Sequence, residues 1–140
     1  MGFLSNFSEG QKNFGLLVLR LGIGFMFIMH GYPKLIAGPE KWEKLGKAMS
    51  LIGVDFMPVM WGFMAGLAEA GGGLLLILGI LFRPACLVMC FTMVIAALKH
   101  IDQGDGIFTG ASHAIELGIV FFSLFFIGPG QYRLKKMVIE

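Results

Sequence analysis

With 140 residues, 56% hydrophobic and 14% charged, the chain carries far more apolar side chain than a soluble domain, where roughly 45–50% and 25% are usual. A globule this short buries only about two-thirds of its surface, so a soluble monomer is excluded, and so is a disordered chain. A net charge of +2 is too weak to track phosphates and two cysteines make no disulfide scaffold, which leaves an integral membrane protein with a lipid bilayer as its partner and no nucleic acid.

Residues 14–32 form the first apolar stretch, interrupted by Arg20 and, near its end, by His30. It is expected to be a retained span. Glu9 and Lys12 cancel where a leader would be basic, and no small-residue cleavage site follows. After Gly38-Pro39, the residues Trp42, Leu45, Met49 and Ile52 recur at helical spacing, with Lys41, Glu43, Lys44 and Lys47 on the other side. This predicts a short amphipathic helix over about residues 40–53, lying in the interface or packed on the bundle. Residues 57–82 make a second span with one charge, Glu69. Phe82-Arg83-Pro84 reads as a tight turn into a third span over 84–100, because proline suits a first helical turn and stops a preceding one. Lys99 and His100 can snorkel at its end.

The following loop, residues 101–110, is acidic and glycine-rich but lacks the ligands of a calcium loop. Residues 111–128 form the fourth span, with His113 and Glu116 near its start. After Gly128-Pro129-Gly130 the tail is basic through Arg133, Lys135 and Lys136. A helix needs about 20 residues to cross about 30 Å of hydrocarbon, and the alternation of a barrel strand is missing. The predicted fold is an all-α, four-span membrane bundle in a single domain over residues 1–140. Both termini fall on one side. Lys12, Arg83, Arg133, Lys135 and Lys136 lie on that side, and Lys34, Lys41, Lys44, Lys47 and Lys99 on the other. The counts balance, and the basic tail and Arg83 turn favour cytoplasmic termini.

Ionisable residues inside spans are expensive and are usually functional or paired. Arg20 lies 12 residues before Tyr32 and Glu69 lies 12 after Met57, each about 18 Å from the same side at 1.5 Å per residue. That predicts a buried Arg20–Glu69 ion pair, holding the bundle or passing protons. Gly62, Ala65, Gly66, Gly72 and Gly73 surround Glu69 on its face, which is expected to meet another helix closely.

The other polar groups gather at the end away from the termini. His30 and Lys34 close the first span, Lys99 and His100 close the third, and His113 and Glu116 open the fourth. His30, Lys34, His100, His113 and Glu116 are the candidate ligand-binding or proton-relay residues, lining one pocket roofed by the Trp42 helix. Interfacial polar residues without a ligand are the alternative. The spacing carries no metal signature. A site from His30, His100, His113 and Glu116 is the minor alternative, and its His-x-x-Glu order reverses that of carboxylate-bundle sites. Cys86, Cys90, Met93, Ala97 and His100 form a stripe that reads as core before it reads as a copper or thiol path. No catalytic residue can be named. No intrinsic redox cofactor is expected, so electrons would come from a partner or a lipid-soluble cofactor.

Leu19-Arg20, Gly24, His30-Gly31-Tyr32-Pro33-Lys34-Leu35, then Glu69 before Gly71-Gly72-Gly73-Leu74-Leu75-Leu76, Leu78-Gly79, Arg83-Pro84-Ala85, His100, Glu116 and Gly128-Pro129-Gly130 follow one another in a distinctive order. In order and spacing the chain resembles the DoxX family of small four-helix bacterial membrane proteins, over about residues 14–134. Where that family often continues Gly-Pro-Gly with Ser-Leu-Asp, this chain has Arg133-Leu134-Lys135 after two intervening residues. The resemblance implies a bacterial inner-membrane location. It also implies kinship with the membrane subunit of a thiosulfate:quinone oxidoreductase and with membrane complexes that answer oxidative stress. The family's polar positions carry over to Arg20, His30, Lys34, Glu69, His100 and Glu116, without assigned catalytic roles.

Two functional readings follow. In the first, the chain is a redox-associated membrane subunit that binds a quinone or similar amphiphile, or anchors a soluble oxidoreductase partner. In the second it is a small-solute transporter or permeability protein. Four helices are few for that unless it forms a homo-oligomer, and no inverted repeat is visible. A ligand-free assembly scaffold is the plainest alternative.

Overall fold

The computed structural model describes residues 7–134. Five helices make up the fold: α1 (Glu9–Ile36), α2 (Pro39–Gly46), α3 (Pro58–Leu78), α4 (Phe82–Asp102) and α5 (Ser112–Ile127), with a 3₁₀ segment, Lys47–Ile52, after α2. No strand occurs among the described residues. By length and composition α1, α3 and α4 can each cross a membrane. The apolar α5 is shorter, 16 residues, or about 24 Å. Large apolar side chains such as Phe25, Met29, Phe91, Ile119 and Phe122 stand exposed, as expected of surface turned to lipid. The basic tail residues Lys135 and Lys136 lie outside the described residues.

Local chemistry explains where each helix begins and ends. Ser8 caps α1: its Oγ accepts from the Gln11 N–H at 3.3 Å, and the Gln11 Oε1 accepts from the Ser8 N–H at 2.7 Å. The helix then runs through Pro33 to Ile36, one turn beyond the expected end at Tyr32. The indole N–H of Trp42 donates to the Lys34 carbonyl at 2.6 Å, joining the Ala37 N–H on that acceptor of the last turn. The amphipathic segment divides into α2 and the 3₁₀ turns. The turn between α3 and α4 comes earlier than proline implied. Gly79 ends α3 at φ 71° and Leu81 is left-handed at φ 45°, while Pro84 sits inside the first turn of α4, where its missing N–H costs nothing.

Two contacts without side chains set the layout. A Cβ on Gly24 would lie 2.6 Å from the Gly73 carbonyl oxygen, and one on Gly31 would lie 2.3 Å from the Ala70 nitrogen. The backbones of α1 and α3 therefore touch along an antiparallel seam. At the far end α2 crosses α3 still more closely: a Cβ on Gly46 would lie 1.6 Å from the Pro58 oxygen, and one on Gly62 1.7 Å from the Trp42 oxygen. On the other flank α5 packs on α4, and the Phe27 and Phe121 rings meet edge to face at 5.1 Å, joining α1 to α5. Leu76, Phe82, Cys86, Met89 and Leu124 complete the core. The cysteine stripe of α4 is thus packing. Cys86 is fully buried, and the Cys90 thiol donates to the Gly118 carbonyl at 3.5 Å.

Arg20 is 1% exposed, and its partners are carbonyls. Nε donates to Leu76 O at 2.8 Å and Nη2 to Ile77 O at 2.8 Å; Nη1 donates to Pro129 O at 2.9 Å and to Tyr132 O. The last four carbonyls of a helix have no partner within it. Here Gly79 N–H satisfies Leu75, Arg20 satisfies Leu76 and Ile77, and Leu134 N–H satisfies Leu78 at 2.9 Å. Arg83 does the same for α5, donating to Phe125 O at 3.0 Å. A cation at a helix C-terminus also complements the macrodipole.

Arg20 therefore does not pair with Glu69. The seam puts Arg20, four residues before Gly24, level with Ile77, four after Gly73. Glu69 is level with Ile28, eight residues or about 12 Å away along the helices. The expected pairing assumed that Tyr32 and Met57 mark one boundary. They do not, because α1 continues past Tyr32 and α2 carries the chain around before α3 begins.

Gly62→Ala is expected to lower stability in detergent by about 2 kcal/mol or more, because backbone must move to admit the methyl. Gly22→Ala, with open space around it, should be neutral or stabilise by up to about 1 kcal/mol. Equal effects in denaturant titrations followed by circular dichroism would contradict the close α2–α3 crossing. Arg20→Met should cost about 3 kcal/mol or more by stranding buried carbonyls, with Arg20→Lys intermediate, and should expose the segment after Gly128 to protease.

Candidate functional site

Between α3 and α4, closed at one end by the 3₁₀ segment, runs a slot of about 510 Å³, the size that holds a small organic ligand. Its walls are apolar: Met64, Ala68, Leu75, Val88, Phe91 and Ile95 among them, with Ala48 and Met49 from the 3₁₀ segment. Ala65, Ala68 and Gly71 line the α3 side of the slot, and residues this small leave space where larger ones would fill it, whereas the face of Gly72 is filled by Met89.

One ion pair faces this slot. Lys34 Nζ lies 2.8 Å from both carboxylate oxygens of Glu69. Glu69 is buried near the middle of α3, and the Lys34 side chain is 33% exposed. The reach is explained by helix geometry. Side chains tilt toward the N-terminus of their own helix, so Lys34, whose Cβ would stand 3.0 Å from a Cβ on Gly66, extends back down α1 toward mid-membrane. Gly66 gives the stem room, and Glu69 waits one turn further along α3. At such depth each charge needs the other.

The structure divides the five expected site residues. Lys34 lines the slot. His30 stands exposed beside the Phe27 ring at 6.1 Å. His100 turns to the loop, its Nδ1 2.7 Å from Asp105 Oδ2, and Asp105 N–H donates to the His100 carbonyl, closing that loop on the end of α4. His113 and Glu116 lie exposed on α5. Only Lys34 of the five borders the slot. No group of three or more histidine, cysteine or acidic side chains is placed to hold a metal among the described residues, so the alternative of a site from His30, His100, His113 and Glu116 has no geometric basis. Clustering at one end of the bundle does not put residues on one face.

Glu69 and Trp61 line the slot without belonging to the polar cluster that the sequence pattern marks. Equal depth points Glu69 to Arg20. Trp61 carries no signal in a hydrophobic run, since an indole there reads as an interfacial anchor or core.

Removing one partner of the Lys34–Glu69 pair is expected to cost about 3–5 kcal/mol. Lys34→Met and Glu69→Leu alone should both destabilise, and the double variant should recover most of the loss. Additive losses in a double-mutant cycle would mean that the two charges are held independently.

Two relatives resemble nearly the whole chain. A protein of Haemophilus influenzae without an assigned role is 27% identical over 135 residues, covering 90% of this chain and 92% of its own length. A membrane protein of Mycobacterium tuberculosis, likewise without an assigned role, is 26% identical over 147 aligned positions, covering 92% of this chain and 83% of its own. No solved structure matches. The family model for DoxX matches residues 15–101, a stretch that holds Arg20, the glycine seam, the Lys34–Glu69 pair and the slot walls. The chain is a membrane protein of the DoxX family.

Proposed function

We propose that this protein is a membrane subunit that holds a small amphiphile in the slot between α3 and α4, within a redox-associated assembly. The observation that carries the reading is one carboxylate–ammonium pair, Lys34–Glu69, facing a mostly apolar cavity beside the middle of α3. Apolar walls with a few placed polar groups are the usual makeup of a small-molecule site. The pair is neutral overall, so it can bind a polar ligand group, or lend it a proton, without leaving a net charge in hydrocarbon.

A quinone is the redox-active amphiphile that fits this description. The residues here would hold its ring and tail between helices, and the quinone would bring the electron chemistry. A soluble oxidoreductase docked at the membrane surface would supply electrons. The cell inner membrane and cytoplasmic termini complete the reading, on the strength of Arg83 and the basic tail. A homo-oligomer is compatible with the exposed apolar faces of α1 and α5.

Mild-detergent purification followed by solvent extraction and mass spectrometry tests this. Near-stoichiometric quinone or another amphiphile is expected with the unaltered chain, and Ala68→Phe, which fills the slot, should reduce retention at least several-fold. Solute flux in liposomes with no retained amphiphile would favour the permeability reading instead.

A further inference from the structure

We infer that α5 is the seam of a symmetric pair. A second copy of this chain packs its own α5 on the face that bears Glu116, Ile119, Ser123 and Phe126, and the Glu116 carboxylate of each copy takes the partner's His113 imidazole. The inference is independent of the slot, which lies between α3 and α4. It turns on depth. Arg83 Nε donates to Phe125 O, and the Cys90 thiol donates to Gly118 O. Seven residues separate these contacts on each helix, so α4 and α5 run in step. Two residues further, Glu116 is level with Thr92, the midpoint of α4. With 21 residues, or about 31 Å, α4 matches the hydrocarbon thickness. Arg83 stands at one of its ends and Lys99, His100 and Asp102 at the other. Glu116 is therefore about 15 Å from either end.

At that depth Glu116 is exposed and pairs with nothing among the described residues. A carboxylate inside a span is expensive, and such groups face protein or pair with one another. A glutamate stem is too short to reach the boundary from the middle. His113, one turn earlier on α5, and Ser123 are also exposed and unbonded among the described residues. Lipid tails satisfy none of the three.

Spacing says what does. Ser112, Glu116, Ile119, Ser123 and Phe126 follow one another at steps of four, three, four and three, the 3.5-residue repeat of helices that wind around a like partner. Ile119 and Phe126 are exposed, and the two serines are small enough for close approach. Two copies inserted the same way are related by a two-fold axis along the membrane normal, which sets α5 parallel to α5 with equal residues level. The face is then complementary to itself. Serine meets serine, and each carboxylate lies within one helical turn, about 5 Å along the axis, of an imidazole that can donate to it.

The full chain in lipid vesicles tests this. Energy transfer between donor- and acceptor-labelled chains, read over a range of protein-to-lipid ratios, gives the dimer dissociation constant. The unaltered chain is expected to dimerise. Glu116→Ala and His113→Ala should each weaken the dimer by about tenfold or more, and the double variant little more than either alone, because both remove the same contact. These side chains are exposed in the single copy, so circular dichroism should stay unchanged. Ile119→Cys should give disulfide-linked dimers on oxidation, whereas Leu74→Cys, exposed on α3 across the bundle, should not; the unaltered chain controls for Cys86 and Cys90. A monomer at every ratio would overturn the inference, and so would a dimer that cross-links at position 74 and not at 119. Cross-linking at 119 in cell membranes to a different protein, without homodimer, would overturn it in favour of a foreign subunit.

Discussion

The buried guanidinium of Arg20 satisfies four backbone carbonyls. Backbone polar groups shut away from water need partners within the protein, and the end of α3 is where that requirement bites. Its last carbonyls are shared among Gly79, Arg20 and Leu134, and the same arginine reaches Pro129 and Tyr132. One side chain thereby ties α1, the end of α3 and the segment after α5 into a single knot. Its stacking over Phe82, 6.0 Å from the ring centroid, adds the start of α4. The charge is compensated by dipoles, and that leaves the protein's buried carboxylate free for another partner.

That freedom shapes the other half of the membrane interior. With Arg20 committed to carbonyls, Glu69 is neutralised by Lys34, and the pair sits where α1 and α3 touch through glycine. The seam has two consequences. It brings the Lys34 stem over Gly66 so that the ammonium reaches mid-membrane, and it leaves the opposite, small-residue side of α3 too thin to fill the space beside α4. The slot is the remainder of this asymmetry. At Gly72 the Met89 side chain of α4 fills the space; beside Ala65, Ala68 and Gly71 the slot remains, and the 3₁₀ segment after α2 caps one end of it.

The end away from the termini separates into two unrelated regions. On one side α2 rests on α3 through Gly46 and Gly62, with Trp42 packed on Phe63 at 5.1 Å and bonded to the end of α1. On the other, His100 and Asp105 fold the connection between α4 and α5 onto the helix end. The histidines of this end do not border the slot: His30 and His113 are exposed, and His100 is bonded to Asp105. Of the polar side chains near this end, Lys34, Glu69, Trp61 and Lys99 line the slot.

Composition and hydropathy alone established a helical membrane protein, and motif order alone pointed to the family. Both are properties of segments: apolar length decides whether a helix can span, and glycine and proline mark where it stops. The small-residue face around Glu69 was legible for the same reason, since glycine at helical spacing means close approach whatever the neighbour is. Pairing was not legible. Whether Arg20 or Lys34 meets Glu69 depends on the relative shift of two helices, and an offset of eight residues is set by the Gly24–Gly73 and Gly31–Ala70 contacts and by how far α1 runs past Pro33. Rotation was equally hidden: His30, His113 and Glu116 share a depth, but the faces they occupy depend on which stripe of each helix packs inward. Tertiary structure decided these matters because charges in hydrocarbon choose partners by reach, and reach is fixed only when backbones are in contact.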